Sequence, residues 1–566
     1  MVSDDAARRQ RVPLVVISLI AAAPMVYMAI HHRIDFDGWW HVFIAREVPW
    51  GRFWADVYRN AHPPSFYLLL RAAAWLGSDR LVYRAVSIVA AVVATYLIGR
   101  IAARVVRTPA VSLLCALTFG LAMTTVIMAC AVRSYMVSVA LMLVAFRLYL
   151  DLIDPRRERL EARTRVWFVV ALIAAILTHY SAVFLAVAAA ALPCLYAAVD
   201  RPYRRWWGGR LRTGWRGEFA TIVPILAVVV AVYVVHTSTF DAPMNFAAQF
   251  YPDQAELAAG LIRGGASFVS RSLVAEIDLF GPLPIAALPA ATRAVVVSLL
   301  GVLAAGLAVI LRRRADWVVA AAPLATLAIL ATAMMGAALI GRYPFGGFLR
   351  HQFILFPFIV LSGFALLDEL VARSGHRRIV LLAVCAAVLL NAVLQWQRMP
   401  FTADEPFAEE AVQFDRILGH SRAVYADQYS AIHFFAAHQR DAWSAPTELR
   451  ENFFAIPVRG SGRTLLVVRD LTRWSCDVSD PLLYRDLREV IELTGLPAVD
   501  LFRLAHDAQV RPALPRAERA RLAESVVELA ASEDLRVERL VLDGHHVYAR
   551  FRLDGETPAG ELPTRF

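Results

Sequence analysis

The chain has 566 residues, of which 58% are hydrophobic and 19% charged, and its formal net charge is +10. A soluble protein of this length is rarely so apolar, and the apolar residues come in runs of about 20, enough to cross a bilayer as a helix. Much of the excess positive charge lies in short clusters between these runs, which favours a role in membrane orientation and argues against nucleic-acid binding. The five cysteines show neither a disulfide framework nor a metal-ligand spacing.

The run lengths predict a mainly α-helical, polytopic transmembrane bundle with about eleven spans. The predicted spans are 13–30, 80–103, 109–130, 134–153, 166–178, 181–199, 219–237, 291–311, 316–340, 350–370 and 378–397. The first is interpreted as an uncleaved helix, because no small-residue cleavage site is clear after it. The fifth and sixth are counted separately, because merging them breaks the charge pattern of the loops.

Loop charges set the predicted orientation. With a cytoplasmic N-terminus, every inside loop is basic, as the positive-inside rule requires. These inside loops are 104–108, 154–165, 200–218, 312–315 and 371–377. The outer segments are then 31–79, 131–133, 178–180, 238–290, 341–349 and everything after 398. We therefore predict a multi-pass protein of the bacterial cytoplasmic (inner) membrane, with most of its unusual polar residues on the outer face.

The composition changes to that of a soluble domain from about residue 398. Residues 481–493 have helical periodicity, and residues 545–552 alternate as a strand does. The sequence thus predicts a transmembrane domain over 1–397 and an extracytoplasmic α/β domain over 398–566.

The long first outer loop carries two carboxylates, Asp35 and Asp37, followed by Trp39 and Trp40. A general base that activates a hydroxyl is a positioned and partly desolvated carboxylate. Asp37 suits this role better, because Asp35 closely follows Arg33. The alternative is a polar loop in which the aspartates only form turns. The tryptophans are predicted either to contact substrate or to anchor the loop at the headgroup layer.

Arginine, histidine and tyrosine side chains recur at the predicted outer ends of spans. The set is His62, Arg133, His179, Tyr180, Arg342, Tyr343, Arg350 and His351. Arginine presents a planar fork to phosphate and stays charged, so the later arginine turn predicts a phosphate-bearing lipid partner. The alternatives are that Arg133 snorkels to headgroups, that His179 and Tyr180 form a satisfied corner, and that His62 begins a stiff His-Pro-Pro turn. No cofactor is certain; zinc spacing is missing, and a divalent cation stays open.

In order and spacing, these motifs resemble the polytopic C-superfamily (GT-C) glycosyltransferases, in particular the bacterial relatives of protein O-mannosyltransferases and of the aminoarabinose transferase. The resemblance covers about 13–397 and rests on HPPSFYLLL, AVRSYMVSVALM, LTHYSAVFLA and RYPFGGFLRHQFILFP after the acidic loop. It implies a sugar donor on polyprenyl phosphate and a base in the first outer loop, which falls on Asp37. Family members often have Asp-Glu there; Gly38 in this chain leaves Asp35 as a substitute.

The sequence therefore predicts an inverting membrane glycosyltransferase that moves a sugar from a polyprenyl-phosphate donor to an acceptor glycan, lipid or protein. The predicted roles are base for Asp37 or Asp35, donor-phosphate binding for Arg350, Arg342, His351 and Arg133, and substrate binding for Trp39, Trp40, His62, His179, Tyr180 and Tyr343. A transporter or flippase of lipid-linked sugar is the alternative, but it predicts charged residues at mid-span. A non-catalytic assembly protein would tolerate neutral replacements in the first outer loop.

Overall fold

The structure is a computed structural model, and it describes most of the membrane part and pieces of the C-terminal part. The described residues are 10–46, 48–59, 62–77, 80–157, 162–237, 301, 305–306, 308–339, 343, 349–398, 421–427, 431–432, 435, 447–450, 453–457, 463–467, 481–494, 499–504, 516–542 and 546–553. Arg342, the loop 238–290 and most of the predicted span 291–311 lie outside them.

Helices dominate the described residues. In chain order they are α1 (Arg11–His31), α2 (Phe36–Arg46), α3 (Trp50–Arg59), α4 (Pro64–Ala73), α5 (Arg80–Val105), α6 (Pro109–Leu121), α7 (Met123–Cys130), α8 (Tyr135–Ile153), α9 (Ala162–Thr178), α10 (Val183–Val199), α11 (Arg201–Val232), α12 (Trp317–Leu339), α13 (Leu349–Gln352), α14 (Phe356–Arg373), α15 (Arg377–Arg398), α16 (Pro481–Thr494) and α17 (Arg516–Ser532). Short 3-10 turns occupy Ala74–Leu76, Tyr180–Ala182 and Phe353–Leu355, and a π-helical turn occupies Tyr233–Thr237.

Contacts group the chain into two compact units. The first comprises Met1–His31, Pro49–Ala74 and Leu81–Pro400, and the second comprises His32–Val48, Trp75–Arg80 and Phe401–Phe566. Residues 32–48 of the first outer loop thus group with the C-terminal residues. The predicted division into 1–397 and 398–566 stays a prediction.

The first unit is a polytopic helical bundle, which confirms the predicted fold class. Eight helices within the described residues are long and apolar enough to cross a membrane, or nine if the bent pair α6–α7 forms one span. That pair bends by 51°, at Ala122, whose backbone is extended (φ −60°, ψ 132°). The predicted span 166–178 corresponds to α9, whose 17 residues make it shorter than these helices.

Two glycines let α5 and α6 pack closely within this bundle. A side chain at Gly99 of α5 would meet Leu14 of α1, and one at Gly120 of α6 would meet Ala21 of α1 and Thr95 of α5. Membrane helices associate through such close backbone approach, because lipid gives no hydrophobic force between them. The packing of α1, α5 and α6 is therefore set by small residues at the contact.

The second unit contains a mixed sheet covered by helices. Its strands are β1 (Ser421–Asp427), β2 (Thr447–Arg450), β3 (Phe453–Pro457), β4 (Arg463–Val467), β5 (Val499–Leu504), β6 (Leu535–Leu542) and β7 (His546–Leu553). Their order is β2-β3-β1-β4-β5-β7-β6, with β4 parallel to both β1 and β5. Tyr484 and Leu487 of α16 and Val526 of α17 share a buried core with Leu501 and Phe551 of the sheet. The predicted C-terminal α/β architecture is confirmed.

Candidate functional site

Five aromatic rings from distant parts of the first unit form a continuous row. The ring centroids of His62 and His179 are 5.9 Å apart, and those of His179 and Tyr135 are 4.5 Å apart. The row continues from Tyr135 to His351 at 6.5 Å and from His351 to Tyr343 at 6.1 Å. The first unit therefore gathers four of the predicted site residues, together with Tyr135, although they are widely separated in the sequence.

The His-Pro-Pro turn places the first member of this row. Pro63 is extended (φ −65°, ψ 157°), and Pro64 occupies the first turn of α4, where a missing N–H costs nothing. Tyr67, one turn further along α4, is fully buried. Burial raises the pKa of Tyr67 well above its ordinary value, and the nearby charge of Arg133 partly opposes this. The charge of Arg133 therefore acts on the Tyr67 side chain.

His179 occupies the break between α9 and the turn that begins α10. Its backbone is extended (φ −153°, ψ 127°), and its Nδ1 accepts a hydrogen bond from the backbone N–H of Ser181 at 3.2 Å. The Ser181 hydroxyl lies 2.6 Å from the same nitrogen. Burial, together with the smaller effects of His62 and Arg133, lowers the pKa of His179 to about 3. The ring is therefore neutral with its proton on Nε2, which makes Nε2 a hydrogen-bond donor.

Arg133 lies in the corner between α7 and α8 and is 7% exposed. The Ser87 hydroxyl donates to the Arg133 carbonyl at 3.3 Å. Buried Arg84 of α5 donates from Nε to the Cys130 carbonyl at 2.9 Å and from Nη1 to the Ala29 carbonyl at 2.6 Å. A cation at the carbonyl ends of two helices is favourable. Arg84, which sequence reasoning missed, thus ties this corner to the end of α1.

Arg350 and His351 form the opposite side of the ring row. The Arg350 Nε donates to the His351 Nε2 at 3.2 Å, and the Tyr343 hydroxyl donates to the His351 carbonyl at 2.6 Å. Phe184 of α10 meets the Tyr343 ring edge-on at 5.0 Å. These contacts fix the short α13 next to α10.

Tyr180 extends the same region toward α11. Its hydroxyl is hydrogen-bonded to Nδ1 of His236 in the π-helical turn, and Nε2 of His236 bonds the Tyr58 carbonyl at 2.7 Å. His236 was not among the predicted site residues. It stands at the predicted outer end of an apolar run, as His179 and His351 do, and that position was the available signal.

We define the polar cluster as these side chains of the first unit together. Its members are His62, Tyr67, Arg133, Tyr135, His179, Tyr180, His236, Tyr343, Arg350 and His351. Among the described residues, no group of three or more His, Cys, Asp or Glu side chains is arranged to hold a metal ion.

The predicted carboxylates Asp35 and Asp37 belong to the second unit. Asp35 precedes α2, and its Oδ1 accepts from the Gly38 N–H at 2.9 Å, which is the geometry of a helix N-cap. Asp37 lies in the first turn of α2 and is partly exposed. Asp35 therefore has a structural role in starting the helix that carries Asp37.

The two predicted tryptophans differ in their packing within the second unit. Trp39 is 1% exposed and stacks on Phe435 with a centroid distance of 6.2 Å. Trp40 is partly buried and meets the Phe36 ring at 5.9 Å. Trp39 thus contributes to the packing of α2.

Comparisons with known proteins identify the fold of this chain. No protein-family model and no curated protein matches this sequence. The crystal structure of ArnT from Cupriavidus metallidurans in the apo state aligns over 96% of this chain and 98% of that chain, with 13% identity and a TM-score of 0.50. The structure of the same ArnT bound to undecaprenyl phosphate aligns over 95% and 97%, with 14% identity and a TM-score of 0.46.

This chain has the ArnT fold. The resemblance predicted from the motifs is therefore confirmed at the level of fold. The alignment covers the C-terminal residues as well as the membrane helices.

The sequence analysis also missed one buried carboxylate of the helical bundle, Asp56. Asp56 of α3 is 2% exposed and pairs with the Arg52 Nε at 3.3 Å. Among the described residues of the first unit, it is the one carboxylate within a predicted outer segment. Its spacing to Arg52, one helical turn apart, was a sequence signal for an ion pair.

Proposed function

We propose that the protein is an integral membrane glycosyltransferase of the GT-C type. It moves a sugar from a polyprenyl-phosphate donor to a hydroxyl or amine of an acceptor glycan, lipid or protein. The reaction takes place at the outer face of the cytoplasmic membrane, with the N-terminus in the cytoplasm. The observation that carries the proposal is the polar cluster, which sets Arg133 and Arg350 among histidine and tyrosine side chains in a chain with the ArnT fold.

Arg133 and Arg350 bind the donor phosphate in this proposal. A guanidinium group stays charged and fits phosphate oxygens with paired donors. His179 adds an uncharged N–H donor, because its Nδ1 is engaged by Ser181. His351 orients Arg350 through Nε2. As the bond between sugar and phosphate breaks, negative charge grows on the phosphate, and preorganised donors stabilise it.

Asp37 is the general base in this proposal. The base of the resembling family falls on Asp37, and the N-cap contact of Asp35 gives that residue another task. Asp37 takes the proton from the acceptor as the acceptor oxygen or nitrogen bonds to the anomeric carbon. The bond to phosphate breaks on the opposite side of the sugar, so the configuration inverts.

The remaining predicted site residues keep their assignments as proposals. Arg342 stays a donor-phosphate residue, although it lies outside the described residues. Substrate contacts are assigned to Trp39, Trp40, His62 and Tyr343, with Tyr180 considered below.

The experiment that tests this function compares Asp37→Asn with Asp35→Asn in a strain lacking the chromosomal gene. We expect deletion to remove one envelope glycan or glycan modification, as measured by mass spectrometry. Wild-type protein and Asp35→Asn should restore it, because Asn caps a helix as well as Asp does. Asp37→Asn should lower its transfer rate at least about 100-fold, since a general base typically contributes that much.

Two outcomes would contradict the proposal. Full restoration by Asp37→Asn would remove the assigned base. An unchanged set of envelope glycans in the deletion strain would remove the glycosyltransferase function itself and would favour the transporter or assembly alternatives. Equal amounts of both variants in purified membranes, with equal melting temperatures, ensure that the comparison concerns chemistry.

A further inference from the structure

The Tyr180 hydroxyl has a fixed polarity. The Tyr58 carbonyl can only accept, so the His236 Nε2 that bonds it at 2.7 Å carries a proton. A neutral imidazole with a proton on Nε2 has an unprotonated Nδ1, which accepts hydrogen bonds. A neutral His236 therefore accepts the hydrogen of the Tyr180 hydroxyl at Nδ1. The Tyr180 oxygen then acts toward a ligand as a hydrogen-bond acceptor.

His236 is well placed to maintain this polarity. It is 8% exposed, so water has little access to its ring. The ring lies between those of Tyr58 and Tyr180, with centroid distances of 5.3 Å and 5.5 Å. The π-helical turn Tyr233–Thr237 presents His236 at the end of α11. Its two nitrogens thus connect the first outer loop to the start of α10.

The neighbouring residue His179 has the opposite polarity. Its Nδ1 accepts from Ser181, so its Nε2–H is a donor. Tyr180 also interacts electrostatically with Tyr67, which in turn interacts with Arg133. Two consecutive residues of the polar cluster therefore offer a donor and an acceptor.

We propose that Tyr180, oriented by His236, forms a subsite that binds a hydrogen-bond-donating group of the substrate, a hydroxyl or an amine. The inference rests on the proposed function and assigns a different part of the substrate to Tyr180 than to the arginines. A phosphate oxygen is an acceptor and would face the Tyr180 lone pairs, so the subsite disfavours it. The donating group belongs either to the transferred sugar or to the acceptor.

The first experiment measures lipid binding by purified full-length protein in nanodiscs. The probes are decaprenyl phosphate and its mannosyl, glucosyl and arabinosyl derivatives. If the sugar supplies the group, Tyr180→Phe should weaken binding of the preferred sugar lipid about tenfold and leave decaprenyl phosphate binding unchanged. Tyr96→Phe is the matched control, because it removes a hydroxyl that contacts Arg100, and it should change neither affinity.

The second experiment tests the acceptor as the source of the group. Envelopes of the deletion strain serve as acceptor, and transfer is measured against envelope concentration. If the acceptor supplies the group, Tyr180→Phe should raise the envelope concentration for half-maximal transfer about tenfold without changing lipid binding. A variant that changes neither dependence, or that weakens decaprenyl phosphate as much as the sugar lipids, overturns the proposal.

Variants of His236 separate orientation from simple packing. His236→Asn keeps a hydrogen-bond acceptor near the position of Nδ1. This variant should retain most of the preference for the sugar lipid, or for the acceptor substrate, over decaprenyl phosphate. His236→Leu frees the Tyr180 hydrogen to turn toward the ligand and should abolish that discrimination. Equal selectivity in His236→Leu and wild type would contradict the positioning role.

A spectroscopic measurement tests the polarity without any ligand. Nuclear magnetic resonance of histidine labelled with a nitrogen isotope should show a His236 signal with a protonated Nε2 and a bare Nδ1, absent in His236→Asn. A protonated Nδ1 would overturn the inference directly. Failure of every lipid to bind, with the expected tautomer present, would instead count against the proposed function.

Discussion

Helix α8 (Tyr135–Ile153) joins two polar regions of different chemistry. Its 19 residues place its ends about 28 Å apart. At its first end, the ring of Tyr135 lies between those of His179 and His351. At its last end, Asp151 pairs with Arg104 at 2.8 Å and with Arg147 at 2.9 Å. The contacts described at the first end join aromatic rings, and those at the last end join arginines to carboxylates.

The carboxylate end, which we call the ionic cluster, comprises Arg104, Arg147, Asp151, Arg314, Asp368, Glu369 and Arg373. It includes residues of three loops predicted to face the cytoplasm, 104–108, 312–315 and 371–377. Asp368 of α14 is fully buried and accepts from the backbone N–H groups of Arg107 at 2.8 Å and Thr108 at 2.9 Å. Arg314 lies 3.5 Å from Glu369. Buried charges are stable when they are paired and hydrogen-bonded. The carboxylates of the ionic cluster are therefore paired with arginines, and Asp368 holds the loop at Arg107 and Thr108.

Arginine makes different contacts at the two ends of α8. In the ionic cluster the partners of arginine are acids of the same chain, so the interaction is complete within the protein. In the polar cluster Arg350 donates to an imidazole nitrogen, and Arg133 lies near tyrosine and histidine. A guanidinium group suits a phosphate ligand, and these are the arginines proposed to bind the donor. Substitutions at the two ends should accordingly affect different measurements.

The largest effect on stability is expected from Asp368→Ala. The substitution leaves two backbone N–H groups without their charged acceptor and removes a buried carboxylate that lies 4.0 Å from Arg314, which should cost about 3–5 kcal/mol of unfolding free energy. Thermal unfolding followed in detergent measures this loss. The control is Arg373→Ala, whose side chain is 59% exposed where it pairs with Glu369, and which should cost less than about 1 kcal/mol. Equal losses in the two variants would show that the ionic cluster does not stabilise the fold.

A smaller effect is expected from Arg84→Lys in the polar-cluster half of the molecule. Lysine lacks the fork that reaches the carbonyls of Ala29 and Cys130 together. Loss of one buried charge-assisted bond should cost about 1.5–3 kcal/mol of unfolding free energy. The same variant should also weaken decaprenyl phosphate binding, because the corner that carries Arg133 loosens. Arg100→Lys on the same helix is the control; a comparable change there would remove the special role of Arg84.

Part of this candidate site could be predicted from the sequence, because each polar residue at the end of an apolar span can be recognised individually. His62, Arg133, His179 and Arg350 were found in this way, and the helical bundle explains their meeting. The position of His236 at the end of a span was visible in the sequence, but its pairing was not, because its partners Tyr58 and Tyr180 are 178 and 56 positions away. No local sequence pattern predicts hydrogen bonds between residues so far apart in the chain.

Helix α2 shows a second limit of prediction from the sequence. An aspartate just before a helix is a typical N-cap, so the contact from Gly38 to Asp35 was within reach of sequence reasoning. The burial of Trp39 against Phe435 was not, because it depends on a contact almost 400 positions along the chain. Local hydrogen bonds follow from neighbouring residues, whereas packing follows from the whole fold.

The most direct test of the central claim is the affinity of purified protein for decaprenyl phosphate compared with decaprenol, its phosphate-free alcohol. We predict that the phosphate binds at least about tenfold more tightly, and that Arg350→Gln lowers its affinity about 10- to 100-fold while leaving decaprenol binding unchanged. Arg373→Gln, at the ionic cluster, should bind both lipids as the wild type does. Equal affinity of the wild type for the two lipids, or an unchanged phosphate affinity in Arg350→Gln, would contradict the claim that the polar cluster binds a lipid phosphate.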